Sequence, residues 1–470
     1  MLTALSHNTL IQLAGKLLAT IAGLIVVSYM TRSLGPTGFG HYTTVMAFLQ
    51  TFAILIDFGL TMTASKALGE KRIPTEMLLS NLLSFRTVTA AAAFALAPLV
   101  VVWFPYPTIV KLGIAFTSLA FFLGSLTQSF QAVFQASLKS GYLVIADFWG
   151  RLVLLVGTVI AAQMNSGLMA YLGIYTAASI VITLGTLGYA HRLMPFRWRI
   201  DLSVWLTIWR ATWPMAVTIA LNLIYLKADT LILAATWPAQ HVGLYGAAYK
   251  VLEVLLAVPA IIGGLVLPLA ARYQAEGAIE KFKHLWQDSF DALLAAGLAV
   301  IAGCVTLGIP IIIMLAGGDF RIAGQLLVPL SLATALIFIS NVTGYFIFAL
   351  GKQRQIIPLY LVAATVALVL FFSLIPHYSY WAAAWSSAAI NGLMAGGSLW
   401  LLAGWGLVPT AARWPKIILA TIVLVLGLLV PLPLILKVVT GAILYLAAIV
   451  YLKLIPTSAA NQLREPNHNT

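Results

Sequence analysis

The 470-residue chain is 61% hydrophobic and 8% charged, and its mean hydropathy is +1.00. Soluble domains carry roughly 25% charged residues, so this composition excludes a soluble globular domain and indicates a membrane protein with many spans. The net charge of +13 fits the basic loops that set membrane topology and does not require a nucleic acid. Because there is one cysteine, Cys304, and the seven histidines have no ligand spacing, we predict no disulfide, metal or cofactor.

Hydrophobic runs predict about fourteen transmembrane helices in an all-α polytopic protein. The first run is long, has no small-residue cleavage site and is followed by more spans, so we expect no cleaved signal peptide. Between the last two runs lie Pro431 and Pro433, which leave a re-entrant hairpin as an alternative there. The predicted spans are 10–31, 41–65, 80–104, 109–137, 142–162, 168–189, 212–236, 243–269, 289–316, 323–350, 356–376, 380–403, 415–432 and 434–455.

The distribution of lysine and arginine predicts the orientation. Of the 26 such residues, seventeen fall in loops on the side of the N-terminus and four fall in loops on the other side. Cytoplasmic loops carry the excess of positive charge. We therefore predict a multi-pass protein of the cytoplasmic (inner) membrane, with both termini in the cytoplasm.

A basic connection from His191 to Pro214 separates two groups of six spans. Its tryptophans and arginines fit an amphipathic helix at the level of the lipid headgroups. The charged segment Ala271–Phe290 predicts a second cytoplasmic helix, between spans 8 and 9. We predict an N-terminal lobe (1–190), an amphipathic cytoplasmic linker (191–211), a C-terminal lobe (212–403), and a C-terminal span pair with a polar tail (404–470).

A turn-and-helix pattern occurs twice in the chain. The segment Leu34–Leu60 opens with a Gly/Pro turn and runs into an apolar helix. A similar turn returns in the second half, where Gly243 and Tyr245 align with Gly40 and Tyr42. The repeat indicates one supersecondary unit used in both lobes.

Span 8 contains a cluster of helix-breaking residues, Pro259, Gly263, Gly264 and Pro268. The cluster predicts a bend in this span. Such breaks are usual in transporters that alternate between two openings, although they also occur in other membrane proteins.

Nine charged residues fall within the predicted spans. A single charge exposed at the bilayer centre costs about 2.5–3.5 kcal/mol, so these groups must face one another or a water-filled interior. We predict that the five cations line a cavity for an anion, with phosphate as the natural candidate, and that the four acids are candidates for ion coupling. The cations are Lys16, Arg86, Arg151, Lys227 and Lys250, and the acids are Asp57, Asp147, Asp229 and Glu253.

Two pairs of these residues have helical spacing. Asp147 and Arg151 are four residues apart, and Lys250 and Glu253 are three apart, so each pair lies on one face of its helix. Purely structural ion pairs are therefore the alternative to a role in binding.

The remaining charges have no partner at helical spacing. Lys227 and Asp229 are two residues apart, so we expect their partners on other spans. Lys16 and Arg86 could either line the cavity or extend toward the cytoplasmic headgroups.

The sequence carries no signature of an enzyme. It has no Walker motif, no HExxH, no GxSxG and no acid pair of glycosidase type, so we predict a protein without catalytic residues. Gln128, Gln131 and Gln135 form a polar stripe on span 4. Interhelical hydrogen bonding is the preferred explanation for this stripe, and contact with a hydroxyl-rich substrate is the alternative.

Three segments carry a family resemblance. The first contains Arg32, the turn Leu34–Tyr42 and the ending Asp57-Phe58-Gly59-Leu60 of span 2. The others are His241–Glu253 and Phe346–Gln355. Together they resemble the lipid-linked oligosaccharide flippases (Wzx type) of the multidrug/oligosaccharidyl-lipid/polysaccharide exporter superfamily. The layout of two six-span lobes and a C-terminal pair extends the resemblance over the whole chain.

The resemblance implies a V-shaped pair of lobes around a cationic cavity that opens alternately to each side. It implies an undecaprenyl-diphosphate-linked oligosaccharide as cargo, moved from the cytoplasmic to the outer leaflet for a surface polysaccharide such as O-antigen or exopolysaccharide. The same resemblance implies ion gradients as the driving force. Besides the cargo, the expected partners are membrane lipid and, as an open alternative, a glycan polymerase.

Three alternatives remain. A multidrug or cation antiporter of the same superfamily should have an acidic, aromatic cavity, and five cations against four acids argue against it. A peptidoglycan-precursor flippase shares the number of spans and the chemistry of the cargo. A membrane polymerase or ligase would need a large extracytoplasmic loop, and no predicted loop on that side exceeds roughly a dozen residues.

Overall fold

The computed structural model describes residues 2–57, 75–136, 141–193 and 200–452, together with Leu454. Within these ranges the chain is helical and has no β-strand, which confirms the all-α class. The long helices are α1 (Leu2–Asp57), α2 (Thr75–Val100), α3 (Thr108–Ala136), α4 (Gly141–Gln163), α5 (Leu168–Leu193), α6 (Leu202–Thr236), α7 (Ala239–Leu255), α8 (Ala257–Ala275), α9 (Ile279–Ala316), α10 (Arg321–Ala349), α11 (Ile357–Ala403), α12 (Trp414–Leu429) and α13 (Leu434–Tyr451).

Helices α1 and α11 each hold two predicted spans. At 1.5 Å per residue α1 would be about 84 Å long, far more than the ~30 Å hydrocarbon core. Its backbone breaks at Gly35, where φ is 62°, a conformation that glycine adopts without steric cost. Pro36 then begins the second arm with a φ suited to the first helical turn. Helix α11 breaks at Ser379, where φ is 56°.

Eleven segments of the described chain are long and apolar enough to cross a membrane. Two of them contain the breaks at Gly35 and Ser379, and predicted span 7 lies within α6. Each predicted span therefore lies mainly on a helix wherever the structure describes it. The protein is a multi-pass membrane protein.

Span 8 bends at the N-terminal end of its Gly/Pro cluster, just before Pro259. Helix α7 ends at Leu255 and α8 begins at Ala257, whereas Gly263 and Gly264 lie within α8. Pro259 explains this position, because a proline removes the hydrogen bond to the carbonyl four residues earlier and its ring clashes with that carbonyl.

The two segments predicted as cytoplasmic helices differ from the prediction. Helix α6 begins after Asp201, whose carboxylate accepts a hydrogen bond from the backbone N–H of Ser203, and it continues into span 7 without a break. Residues 194–199 lie outside the described chain. The segment Ala271–Phe290 is divided between α8 and α9 by a turn at Gly277, where φ is 67°.

Contacts divide the chain into two compact units, Met1–Gly246 and Ala247–Thr470. In the first unit, Phe48 and Leu49 on the second arm of α1 pack with Phe94 of α2, Ile114 of α3 and Leu172 of α5. These residues are almost completely buried. The lobe and linker boundaries drawn from the sequence stay a prediction.

The second unit has its own apolar core. Trp286 and Phe290 of α9 pack with Phe346 of α10, and the ring of Trp286 meets that of Phe346 edge to face at 5.1 Å. The pair α12–α13 packs against α9, where the hydroxyl of Tyr445 donates to the carbonyl of Ala295 at 2.7 Å. The C-terminal pair is therefore part of this unit.

Candidate functional site

The two repeated turns pack against each other within the first unit. A Cβ atom on Gly40 would overlap the carbonyl oxygen of Ala239, and one on Gly243 would overlap the carbonyl oxygen of Pro36. Each added atom would also lie 3.0 Å from the backbone nitrogen of the other glycine. We call these four residues the glycine contact. Only residues without a side chain allow the second arm of α1 and the start of α7 to approach this closely.

A half-exposed ion pair lies within the span formed by α4. The Nε atom of Arg151 is 2.6 Å from an oxygen of Asp147, and the two side chains are 40% and 42% exposed. A terminal nitrogen of Arg151 also donates to the carbonyl of Ala19 on α1, at 3.4 Å. The spacing of four residues thus forms the pair that it predicts.

The ion pair and the exposed apolar residues of α4 lie on different faces. Large apolar side chains are exposed at Ile145, Trp149 and Val156. At 3.6 residues per turn, these three point away from the face that carries Asp147 and Arg151. The exposed surface of the ion pair therefore lies on a different side of α4 from the lipid-facing apolar stripe.

The second unit has a similar pair. On α7, the Nζ of Lys250 lies 2.6 Å from a carboxylate oxygen of Glu253, and the side chains are 33% and 32% exposed. Both units therefore present a partly exposed ion pair on a helix of a candidate span.

Arg86 is the most deeply buried of the predicted cations whose side chains the structure describes. Its side chain is 1% exposed, so it does not extend to the headgroups. On α3, its Nη2 donates to the side-chain oxygen of Gln128 at 2.6 Å, and its Nε lies 3.4 Å from the hydroxyl of Ser125. Arg86 therefore belongs to a polar contact between α2 and α3.

Asp229 is buried on α6, at 1% exposure. The hydroxyl of Tyr245 on α7 donates to its carboxylate at 2.6 Å, and the backbone N–H and hydroxyl of Thr230 donate at 2.5 and 3.1 Å. Lys227, on the same helix, is partly exposed. The acid thus reaches a neighbouring helix, as its spacing from Lys227 predicts.

Two of the predicted site residues cannot be placed. The side chains of Lys16 and Asp57 lie outside the part of the chain whose side chains are described, and the same holds for Gln131 and Gln135 of the amide stripe. Within the described residues, no group of three or more histidine, cysteine, aspartate or glutamate side chains is placed to hold a metal ion.

A pocket of about 220 Å³ lies beside the glycine contact. Its wall includes His41 of α1, Tyr106 of the α2–α3 connection, and Trp237 and Val242 near the start of α7. The buried phenol of Tyr106 donates to the carbonyl of Leu231 at 3.1 Å. Burial raises the pKa of Tyr106, so this phenol remains a donor.

Sequence reasoning missed several contacts between helices. Tyr245 was aligned as part of a repeat, but its bond to Asp229 depends on α6 and α7 lying side by side. Likewise, the guanidinium of Arg413 lies 2.5 Å from Asp288 and 3.5 Å from Asp291. This cluster joins α9 to the turn before α12, and no spacing along the chain indicates it.

The sequence matches a family described as polysaccharide biosynthesis protein over residues 5–274, more than half of the chain. The chain belongs to the polysaccharide biosynthesis protein family. A relative from Shigella dysenteriae, named as an O-antigen transporter, is 22% identical to this family member over 372 residues, which is 76% of the chain and 89% of the relative.

Solved structures with the same fold include a flippase and a multidrug transporter. The lipid II flippase MurJ, in its inward closed conformation, gives a TM-score of 0.79 at 12% identity, covering 95% of this family member and 99% of MurJ. An inward-facing MATE multidrug resistance transporter of the MOP superfamily gives 0.64 at 12% identity, covering 83% and 96%. The family match confirms the family resemblance predicted from the sequence, and the solved structures assign the fold.

Proposed function

We propose that this member of the polysaccharide biosynthesis protein family is a flippase for an undecaprenyl-diphosphate-linked oligosaccharide. It moves the cargo from the cytoplasmic to the outer leaflet by alternating access and performs no chemical conversion. It lies in the cytoplasmic membrane with both termini in the cytoplasm. The half-exposed pair of Asp147 and Arg151 within a candidate span is the observation that carries the proposal.

A charged pair at this exposure has to meet water or a polar ligand. Facing lipid near the bilayer centre, each charge would cost about 2.5–3.5 kcal/mol, and the pair lies away from the exposed apolar stripe of α4. Its position supports a water-filled surface on the first unit. Lys250 and Glu253 support a second such surface, on α7.

The cations on these surfaces suit a diphosphate. A guanidinium is planar and binds two phosphate oxygens side by side, and a phosphate also accepts strongly from lysine. Asp147 holds the guanidinium of Arg151 in place, so the cargo meets an oriented donor. Lys16, Lys227 and Lys250 complete the proposed cationic set.

The glycine contact supports alternating access. In the proposed orientation it lies on the extracytoplasmic side, where the second arm of α1 begins after Gly35 and α7 begins at Ala239. Among the acids whose side chains the structure describes, Asp229 is the best placed for ion coupling, because its carboxylate accepts a hydrogen bond from Tyr245, two residues from Gly243. A proton that binds Asp229 would change this bond. Asp57, Asp147 and Glu253 remain candidates for the same role.

Depletion of the protein tests the proposed activity. Sealed spheroplasts are treated with an impermeant sugar-reactive reagent, and the lipid-linked oligosaccharide that remains protected is measured. Protected material should accumulate on depletion and disappear on expression of the wild type. Unchanged sidedness together with increased sensitivity to cationic drugs would contradict the flippase and favour a multidrug exporter. A glycan polymerase on the outer face is the proposed partner that consumes the flipped material.

A further inference from the structure

The contact between Arg86 and Gln128 fixes the orientation of an amide. A guanidinium has five N–H donors and no acceptor, so the oxygen of Gln128 must face Arg86, at 2.6 Å. The amide NH₂ group is then directed away from Arg86. Within the chain that the structure describes, no hydrogen bond is found for this NH₂ group, and Gln128 is exposed.

The exposed face of Gln128 is opposite the lipid-facing stripe of its helix. On α3, large apolar side chains are exposed at Leu112, Phe116 and Leu119. At 3.6 residues per turn, Gln128 points to the other side of the helix. That side also carries the buried Ser125, which Arg86 contacts. An exposed amide on this interior side meets water, where two N–H groups are free to donate.

Arg86 has little else to offer a ligand directly. The side chain of Arg86 is only 1% exposed, whereas the side chain of Gln128, which it contacts, is exposed. Arg86 therefore acts through the amide of Gln128. Its guanidinium binds the amide oxygen, and the two N–H donors of the amide point away from Arg86.

We propose that Gln128 is a contact for the sugar part of the cargo and that Arg86 is the residue that positions it. The inference rests on the proposed flippase function. A neutral amide donor matches the hydroxyl, ring and acetamido oxygens of a glycan, whereas the diphosphate is matched by the exposed guanidinium of Arg151. Recognition of sugar and diphosphate is thus divided between two side chains of the first unit.

Two substitutions separate positioning from stability. Gln128→Glu keeps the length of the side chain and still accepts a hydrogen bond from Arg86, so the melting temperature of this variant should equal or exceed that of the wild type. What the variant loses is the N–H donor that would face the cargo. Arg86→Lys keeps the charge but cannot reach Ser125 and Gln128 together. Gln163→Glu, at the exposed end of α4, is the matched control.

The assay measures flipping of a prenyl-diphosphate-linked repeat-unit oligosaccharide in proteoliposomes. Gln128→Glu should slow flipping about tenfold, the loss of a typical hydrogen bond to the cargo, and Arg86→Lys should give an intermediate rate. Gln163→Glu should flip at the wild-type rate. Equal rates for Gln128→Glu and Gln163→Glu would overturn the inference.

Competition identifies which part of the cargo the amide contacts. Free oligosaccharide should inhibit the wild type and lose about tenfold in potency against Gln128→Glu, while inhibition by inorganic diphosphate should stay unchanged. An equal loss of both inhibitions would place phosphate at Gln128 and overturn the inference. If the wild type flips no probe, the proposed function itself falls, and this inference falls with it.

Discussion

Gly40 and Gly243 are equivalent residues of the repeat, and each packs so closely against the backbone of the other turn that only glycine fits. They are 203 positions apart in the sequence, as are Pro36 and Ala239, the residues whose carbonyl oxygens an added Cβ would strike. The contact is thus reciprocal, like the self-complementary contact across a two-fold axis. The repeated turns form one pseudosymmetric contact within the first unit.

Alanine at either glycine should destabilise the protein. Overpacking costs typically about 1–3 kcal/mol, and here the obstacle is backbone, which cannot rotate away. Thermal unfolding of Gly40→Ala and Gly243→Ala measures the effect. Gly188→Ala is the control, because a Cβ there meets nothing within 4 Å. If Gly40→Ala proved as stable as this control, the close approach would be wrong.

Tyr245→Phe should weaken the link between α6 and α7. The substitution keeps the ring and removes a hydroxyl donor 2.6 Å from the buried carboxylate of Asp229, so we expect a loss of about 1–3 kcal/mol. The exposed Tyr142 provides the control Tyr142→Phe, which should leave the unfolding temperature unchanged. Equal stability of the two variants would contradict the bond.

Two adjacent glycines on α8 should respond differently to alanine. A Cβ on Gly263 would overlap the ring of Tyr345, whose hydroxyl donates to the carbonyl of Pro259 at 3.1 Å. A Cβ on Gly264 would meet nothing within 4 Å. Gly263→Ala should therefore cost about 1–3 kcal/mol, whereas Gly264→Ala should be neutral or stabilising by up to about 1 kcal/mol. The reverse order would contradict the placement of α8 against α10.

Arg413→Met should loosen the C-terminal helix pair. It removes the cation from Asp288 and Asp291, which are 8% and 2% exposed, and a buried charge without its partner is costly. Hydrogen exchange in α12 should become faster, and Asp288→Asn in the same chain should restore part of the protection. Arg354→Met, at an exposed position, is the control. Unchanged exchange in α12 would show that the cluster does not hold the pair.

The spans and the local ion pairs could be predicted because both depend on spacing along one helix. Hydropathy located the helices, and spacings of four and three placed Arg151 with Asp147 and Lys250 with Glu253. The break in span 8 lies at Pro259 and not at the glycines, because a proline always removes the hydrogen bond to the carbonyl four residues before it.

The contacts between helices could not be predicted. Nothing in the spacing of Arg86 indicates that Ser125 and Gln128 cover it, or that Tyr245 reaches Asp229. The repeat that contains Gly40 was visible in the sequence, but the contact with Gly243 depends on how two distant helices cross. Interhelical geometry decides these features, and a single sequence does not record it.

Reconstitution of the purified protein tests the central claim most directly. The measurement is the rate at which a prenyl-diphosphate-linked oligosaccharide in proteoliposomes becomes accessible to an impermeant sugar-reactive reagent. The wild type and the exposed-loop control Arg354→Glu should flip the lipid, and Arg151→Glu, which places a second acid beside Asp147, should flip it at least about tenfold more slowly. Full activity of Arg151→Glu, or no flipping by the wild type, would contradict the account.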